Sequence, residues 1–151
     1  RILEEVYFAC DRLGVVLEGT LLKPSMTVSG AECSTQLGPK EVAQRTINVM
    51  LKSVPPEVAG IVFLSGGLSE EAASVYLNEM NQFETPWTVS FSYGRALQHS
   101  CLKAWGGNNL EAGQAAVRAR AQANSEASKG QYVAGSQPSS DEALFVAGYT
   151  Y

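Results

Sequence analysis

The stretch 59-AGIVFLSGGLSEEAASVYLNEM-80 decides the architecture. Ala59 to Leu64 is short, apolar and β-branched, the composition of a strand. Ser65-Gly66-Gly67 interrupts it, and Ser69 then stands where a helix N-cap is wanted, followed by Glu70 and Glu71 in the first turn, where the helix dipole favours carboxylates. Ala73, Tyr76, Leu77 and Met80 recur at helical spacing and form one apolar stripe. The stretch reads as strand, glycine-rich turn, helix.

The same grammar extends in both directions. Residues 2–12 read as the end of a helix. Leu13 to Leu22 (LGVVLEGTLL) is a mostly apolar run that suits a strand buried on both faces, with Lys23 at its C-terminal end and Pro24 turning the chain into a Ser/Thr/Gly loop. Pro39 and Glu41 open a helix in which Val42, Thr46, Val49, Met50 and Ser53 recur, until Pro55 and Pro56 stop it. Downstream, Trp87 to Phe91 reads as a strand and Ser92-Tyr93-Gly94-Arg95 as a turn. Leu97, Cys101 and Trp105 mark a helix ended by Gly106-Gly107. Asn108 or Asn109 caps an Ala-rich helix running to about Ser128.

Three such units predict an α/β protein with a parallel sheet, whose chemistry belongs at the strand C-termini. Residues 1–128 are expected to form the folded part with its terminal helix, and 129–151, rich in Gly, Ser, Gln and Pro, a mobile tail. A complete (β/α)8 barrel takes about 250 residues, so strands upstream of Arg1 are expected to be missing.

Composition narrows the function. The chain has 151 residues with 11 Lys+Arg against 15 Asp+Glu, a net charge of -4, and a pI of about 5.0. Without a basic block, nucleic acid is not an expected partner. No apolar run approaches the roughly 20 residues of a membrane span, and no targeting leader is visible. Cys10, Cys33 and Cys101 are three, widely spaced and without a C-x-x-C pair, which favours a reducing compartment over disulfides or zinc. His99 is the only histidine, so metal or Ser-His-Asp chemistry lacks raw material; it is expected to be a surface or groove residue.

Lys23 is the residue whose position matters most. A lone lysine is ordinarily a solvated charge, but one desolvated at a strand end can act as a nucleophile. From a pKa of about 10.4, only about 1 in 2,500 molecules carries the neutral amine at pH 7, a handicap of roughly 4.6 kcal/mol. Burial and a neighbouring cation are the usual remedies, and no second lysine of this chain is placed to help. Ser65, Gly66 and Gly67 open a helix from a strand end, a geometry that presents backbone N–H groups to an anion. Ser92, Gly94 and Arg95 offer the same with a guanidinium that fits phosphate oxygens. Either is also an ordinary turn; neither matches a P-loop or dinucleotide fingerprint. Glu18, within the expected buried strand, is either satisfied by interior hydrogen bonds or directly involved. Tyr149 and Tyr151 read, on spacing alone, as frayed aromatics.

At 17-LEGTLLKPSM-26 the chain resembles the Schiff-base strand of class I fructose-bisphosphate aldolases. VPPEV at 54–58, FLSGGLSEEA at 63–72, WTVSFSYGRALQ at 87–98, LKAWGG at 102–107 and the terminal Tyr149-Thr150-Tyr151 agree in order and spacing. The resemblance covers essentially the whole chain and the C-terminal part of the family's (β/α)8 barrel, about its last three βα units. It implies a lyase that reversibly cleaves fructose 1,6-bisphosphate to dihydroxyacetone phosphate and glyceraldehyde 3-phosphate, in glycolysis, gluconeogenesis or the Calvin cycle. Lys23 would form the imine and Tyr151 assist proton transfer as the tail gates the site. Ser65, Gly66, Gly67, Ser92, Gly94 and Arg95 would hold the phosphate nearest the ketone. The covalent imine needs no metal or other cofactor, and the resemblance implies a homotetramer. The family's acid/base glutamate and assisting lysine would lie upstream of Arg1, so this chain alone is expected to be an inactive fragment. Ser25-Met26, the 30–33 loop and 145-FVAGYTY-151 look like plastid members, which favours a chloroplast address over a cytoplasmic one. The alternative is a non-catalytic phosphosugar-binding or scaffolding fragment.

Overall fold

The computed structural model describes residues 1–148. Helix α1 (Ile2–Arg12) is followed by a 3-10 turn at Leu17–Gly19 and strand β1 (Leu21–Leu22). Helix α2 (Pro39–Ser53), β2 (Gly60–Phe63), α3 (Glu70–Met80), β3 (Thr88–Phe91), α4 (Arg95–Trp105) and α5 (Leu110–Ala127) come after it. The three strands form one parallel sheet in the order β1-β2-β3, as the repeated strand-turn-helix reading requires.

Local chemistry explains the boundaries. Ser69 Oγ accepts the Ala72 amide at 3.1 Å to cap α3, and Asn109 Oδ1 accepts the Ala112 amide at 3.2 Å to cap α5. Pro39 occupies the first turn of α2, where its missing N–H is no loss.

Register sorts the sheet into two faces. Leu22 pairs with Ile61 and Ile61 with Val89, while Phe63 pairs with Phe91; alternation puts all five on one face. Ile61 and Phe63 are fully buried there, in a core with Val42, Ile47, Ala73, Leu77 and Met80. Outside the sheet, α3 packs against α2, α4 and α5. Leu21, Val62, Thr88 and Ser90 point the other way; Leu21 is 64% exposed and Thr88 is exposed. No described element covers that face.

The expected strand over Leu13 to Leu22 needs correcting. Only Leu21 and Leu22 are strand, and Leu13 and Val16 are exposed. Glu18, expected inside, is exposed in the 3-10 turn. A strand buried on both faces needs neighbours on both edges and layers on both sides; β1 has one neighbour and one covering layer. The same deficit leaves α1 with no buried residue.

Candidate functional site

The C-terminal ends of the three strands are laced together. Continuing the β1–β2 register by two residues sets Lys23 abreast of Val62 and Pro24 abreast of Phe63. The Leu64 amide donates to the Pro24 carbonyl at 3.0 Å, and the Ser92 amide to the Phe63 carbonyl at 2.9 Å. The loop that leaves Lys23 is tied down behind the sheet, where Met26 is buried and Thr27 N donates to Thr46 Oγ1 of α2 at 2.9 Å. Lys23 and both turns therefore lie on one end of the sheet.

Each turn has the local geometry of an anion cradle. Ser65 is buried, its carbonyl accepts the Leu68 amide at 2.9 Å, and Gly66 sits at φ +53°, a left-handed conformation that side chains disfavour. The amides of Gly66, Gly67 and Gly94 donate to no acceptor among the described residues. Unengaged N–H groups at the entrance to a helix are the donors an anion would use. Tyr93, between Ser92 and Gly94, faces inward; its hydroxyl donates to the Ala73 carbonyl at 2.9 Å, and burial pushes its pKa up.

Lys23 is exposed, contrary to the burial expected of it. Its place in the alternation assigns it to the uncovered face with Leu21 and Val62, and it makes no hydrogen bond or ion pair among the described residues. Neither a dry wall nor a second cation is provided for it by this chain. Tyr151, expected to move protons, lies outside the described residues, as does Tyr149.

Residues 129–148 form no helix or strand but are held at many points. Over the second turn, Arg95 Nη1 donates to the Leu144 carbonyl at 2.7 Å, and the Leu144 amide donates to the Gly67 carbonyl at 3.0 Å. A Cβ added to Gly67 would lie 2.9 Å from Phe145 Cα, so glycine is required here for the close approach of another backbone. Glu142 accepts hydrogen bonds from Lys103 and His99 of α4, which hold its carboxyl below the usual range. His99 is thus a half-buried groove residue, in line with the sequence reading. With Arg95 and the 142–146 segment it borders a cavity of about 340 Å³.

Sequence reading missed a group of polar residues behind the first turn. Glu70, Ser74, Arg120 and Asn124 are fully buried. Arg120 Nη2 donates to the Glu70 carbonyl at 2.8 Å and also to Ser74 Oγ, and Ser74 Oγ donates to Asn124 Oδ1 at 2.6 Å. One signal was available: Arg120 shares its helical stripe with the buried Gly113, Ala123 and Ala127, so a charge stands in the row that small residues reserve for close packing.

The family model for fructose-bisphosphate aldolase class-I matches residues 1–151. Fructose-bisphosphate aldolase 2, chloroplastic, of Arabidopsis thaliana is 49% identical over 154 residues, covering 100% of this chain and 39% of that protein. Human fructose-bisphosphate aldolase B is 49% identical over 157 residues, 100% of this chain and 43% of its own. A solved structure of fructose-bisphosphate aldolase from Plasmodium falciparum, in complex with TRAP and a small-molecule inhibitor, superposes with a TM-score of 0.86 at 44% identity. It covers 89% of this chain and 40% of that one. The chain thus spans about two fifths of the length of the relatives it matches. Its parallel three-stranded α/β fold is a portion of the aldolase barrel, and the chain belongs to the class I fructose-bisphosphate aldolase family.

Proposed function

We propose that this chain supplies the imine-forming lysine and the ketone-side phosphate site of a metal-independent fructose 1,6-bisphosphate aldolase. Lys23 Nζ attacks the C2 ketone of fructose 1,6-bisphosphate and water leaves. The C4 hydroxyl then gives its proton to a base that the further barrel strands would supply, the C3–C4 bond breaks, and the protonated imine accepts the released electron pair, giving glyceraldehyde 3-phosphate and an enamine. Protonation of the enamine carbon, assisted by Tyr151, and hydrolysis of the imine return dihydroxyacetone phosphate and the lysine. Ser65, Gly66, Gly67, Ser92, Gly94 and Arg95 bind the phosphate next to the ketone. The observation that carries this reading is the lacing of two helix-entry turns, with unengaged amides at Gly66, Gly67 and Gly94, to the strand end that bears Lys23. A third element is the desolvation that a catalytic lysine requires. The uncovered face makes that the task of further barrel strands, closing over Leu21, Lys23 and Val62.

Plastid residence is favoured by the chloroplastic relatives, and a homotetramer by the resemblance, which sedimentation would test. The decisive experiment is borohydride reduction with dihydroxyacetone phosphate in the assembled enzyme carrying this chain. A stable adduct on Lys23 is expected. Phosphosugar binding without an adduct, or an adduct on another lysine, overturns the reading and leaves a non-catalytic binder.

A further inference from the structure

We propose that Glu71, backed by Glu70 and Arg120, is a positioning residue: a clasp that fixes where the C-terminal segment crosses the sheet end bearing Lys23 and the two turns. Its consequence for catalysis rests on the reading above; its consequence for the segment does not.

Glu71 gathers three points of the tail onto one carboxylate. Tyr132 Oη donates to Oε2 at 2.8 Å, the Gly135 amide to Oε1 at 2.9 Å and Ser139 Oγ to Oε2 at 2.6 Å. Glu70 takes the next point, accepting the Ser140 amide on Oε2 at 3.0 Å while its Oε1 accepts the Ser100 amide of α4 at 2.8 Å. Arg120 Nη1 donates to the Pro138 carbonyl at 3.3 Å. Earlier along the tail, Gln82 Nε2 donates to the Gly130 carbonyl and the Tyr132 amide to Asn78 Oδ1, each at 2.8 Å.

The arrangement is a polar solution to a packing problem. Between Gln131 and Gly148, Tyr132 is the only buried side chain, while Val133, Phe145 and Val146 are exposed. Apolar burial therefore contributes little to holding the segment, and the carboxylates do the holding. A fully buried guanidinium is destabilising unless a carboxylate faces it. Among the described residues the one within 4.0 Å of Arg120 is Glu71. Removing Glu71 leaves three tail donors without their acceptor and one buried cation without the carboxylate that faces it. The clasp is also close to the site in chain terms. Glu70 and Glu71 begin α3, separated from the Ser65-Gly66-Gly67 turn by only Leu68 and the Ser69 cap, and the segment they hold leads to Leu144, which meets Gly67 and Arg95. One rigid helix start thus sets the turn and the course of the tail together.

The test is Glu71→Gln, with Glu71→Asp as the conservative rescue, read by amide hydrogen exchange of the protein. Exchange over residues 133–146 should rise about tenfold or more, with the amides of Ile61, Phe63, Leu77 and Ala123 unchanged, and Glu71→Asp should recover most of the protection. Unchanged tail exchange overturns the proposal. So does an equal rise in the sheet and α3, which would make Glu71 a general stabiliser. If Glu71→Gln does not fold, Ser139→Ala and Tyr132→Phe leave the Glu71–Arg120 pair in place, and each must loosen the tail selectively. In the assembled enzyme, Glu71→Gln should keep borohydride trapping at Lys23 and the KM. Exchange of the substrate's carbon-bound hydrogen with solvent should fall about tenfold. Loss of trapping in the variant alone, or undiminished hydrogen exchange, counts against a positioning role. Failure of the unmutated enzyme to trap removes the aldolase reading and leaves the tail result standing.

Discussion

The two faces of the sheet teach different lessons. On one, Ile61, Phe63 and Val89 meet α2, α3 and the rest of a closed apolar core, with Trp87 Nε1 donating to the Pro55 carbonyl at 2.7 Å to pin the start of β3. On the other, Leu21, Lys23, Val62, Thr88 and Ser90 form a surface that no described residue covers. The first face is completed by helices that follow their strands closely in sequence, so this chain builds it unaided. The second is the face that, in the proposed reading, further barrel strands would close. The group proposed for covalent chemistry lies on the face the chain does not complete. The two turns proposed to hold the phosphate lie at the shared rim and are already formed.

The largest expected effect is at Lys23. Lys23→Arg keeps the charge but offers a group that does not deprotonate at working pH, so cleavage in the assembled enzyme should fall more than about a hundredfold, since covalent catalysis does not survive loss of its nucleophile. Residual activity above that level, in a steady-state aldol-cleavage assay, breaks the link between the open face and the chemistry. Next comes the pair that contrasts the faces directly. Phe63→Ala, on the covered face, should destabilise the chain by about 3–5 kcal/mol, while Leu21→Ala, on the open face, should stay within about 0.5 kcal/mol, as for an ordinary surface position. Urea denaturation of the two variants measures both. Equal effects would mean that the open face is covered in solution, for example by a second copy of the chain.

The covered face was legible because its signals are local. The Ser69 cap, the Ala73–Leu77–Met80 stripe and the Pro39 start of α2 each involve residues within about two helical turns, and the structure has all three. The Leu13 to Leu22 run misled because an apolar composition records where a segment is buried in the finished assembly. Whether those partners belong to the same stretch of chain is not encoded in it. Lys23 was placed correctly at a strand end but not in its surroundings, for the same reason. The Arg120 network was legible only as a charge in a stripe of small residues; its partner was not, since the hydrogen bond to the Glu70 carbonyl joins residues 50 apart in sequence and no periodicity links an arginine on α5 to the start of α3.

The smallest effect separates the tail from both faces and follows from protonation. Burial alone would raise the pKa of Glu71, but hydrogen bonds from Ser139, Gly135 and Tyr132, with the charge of Arg120, outweigh it and hold the carboxyl below its ordinary value. A carboxyl depressed in the folded state binds fewer protons there than in the released state. Its contribution to the clasp is therefore complete above the ordinary carboxylate range, about pH 4.3, and is lost as the pH falls through the lower, folded value. Tyr132 stays protonated across this window, since burial and Glu71 both raise its pKa, so within the clasp the change falls on Glu71. Acidification should accordingly shift the amide resonance of Gly135, the direct partner of that carboxylate, before those of Ile61 and Phe63 respond. Coincident transitions would mean that the segment is held by the same cooperative core as the covered face, and the distinction between clasp and sheet would disappear.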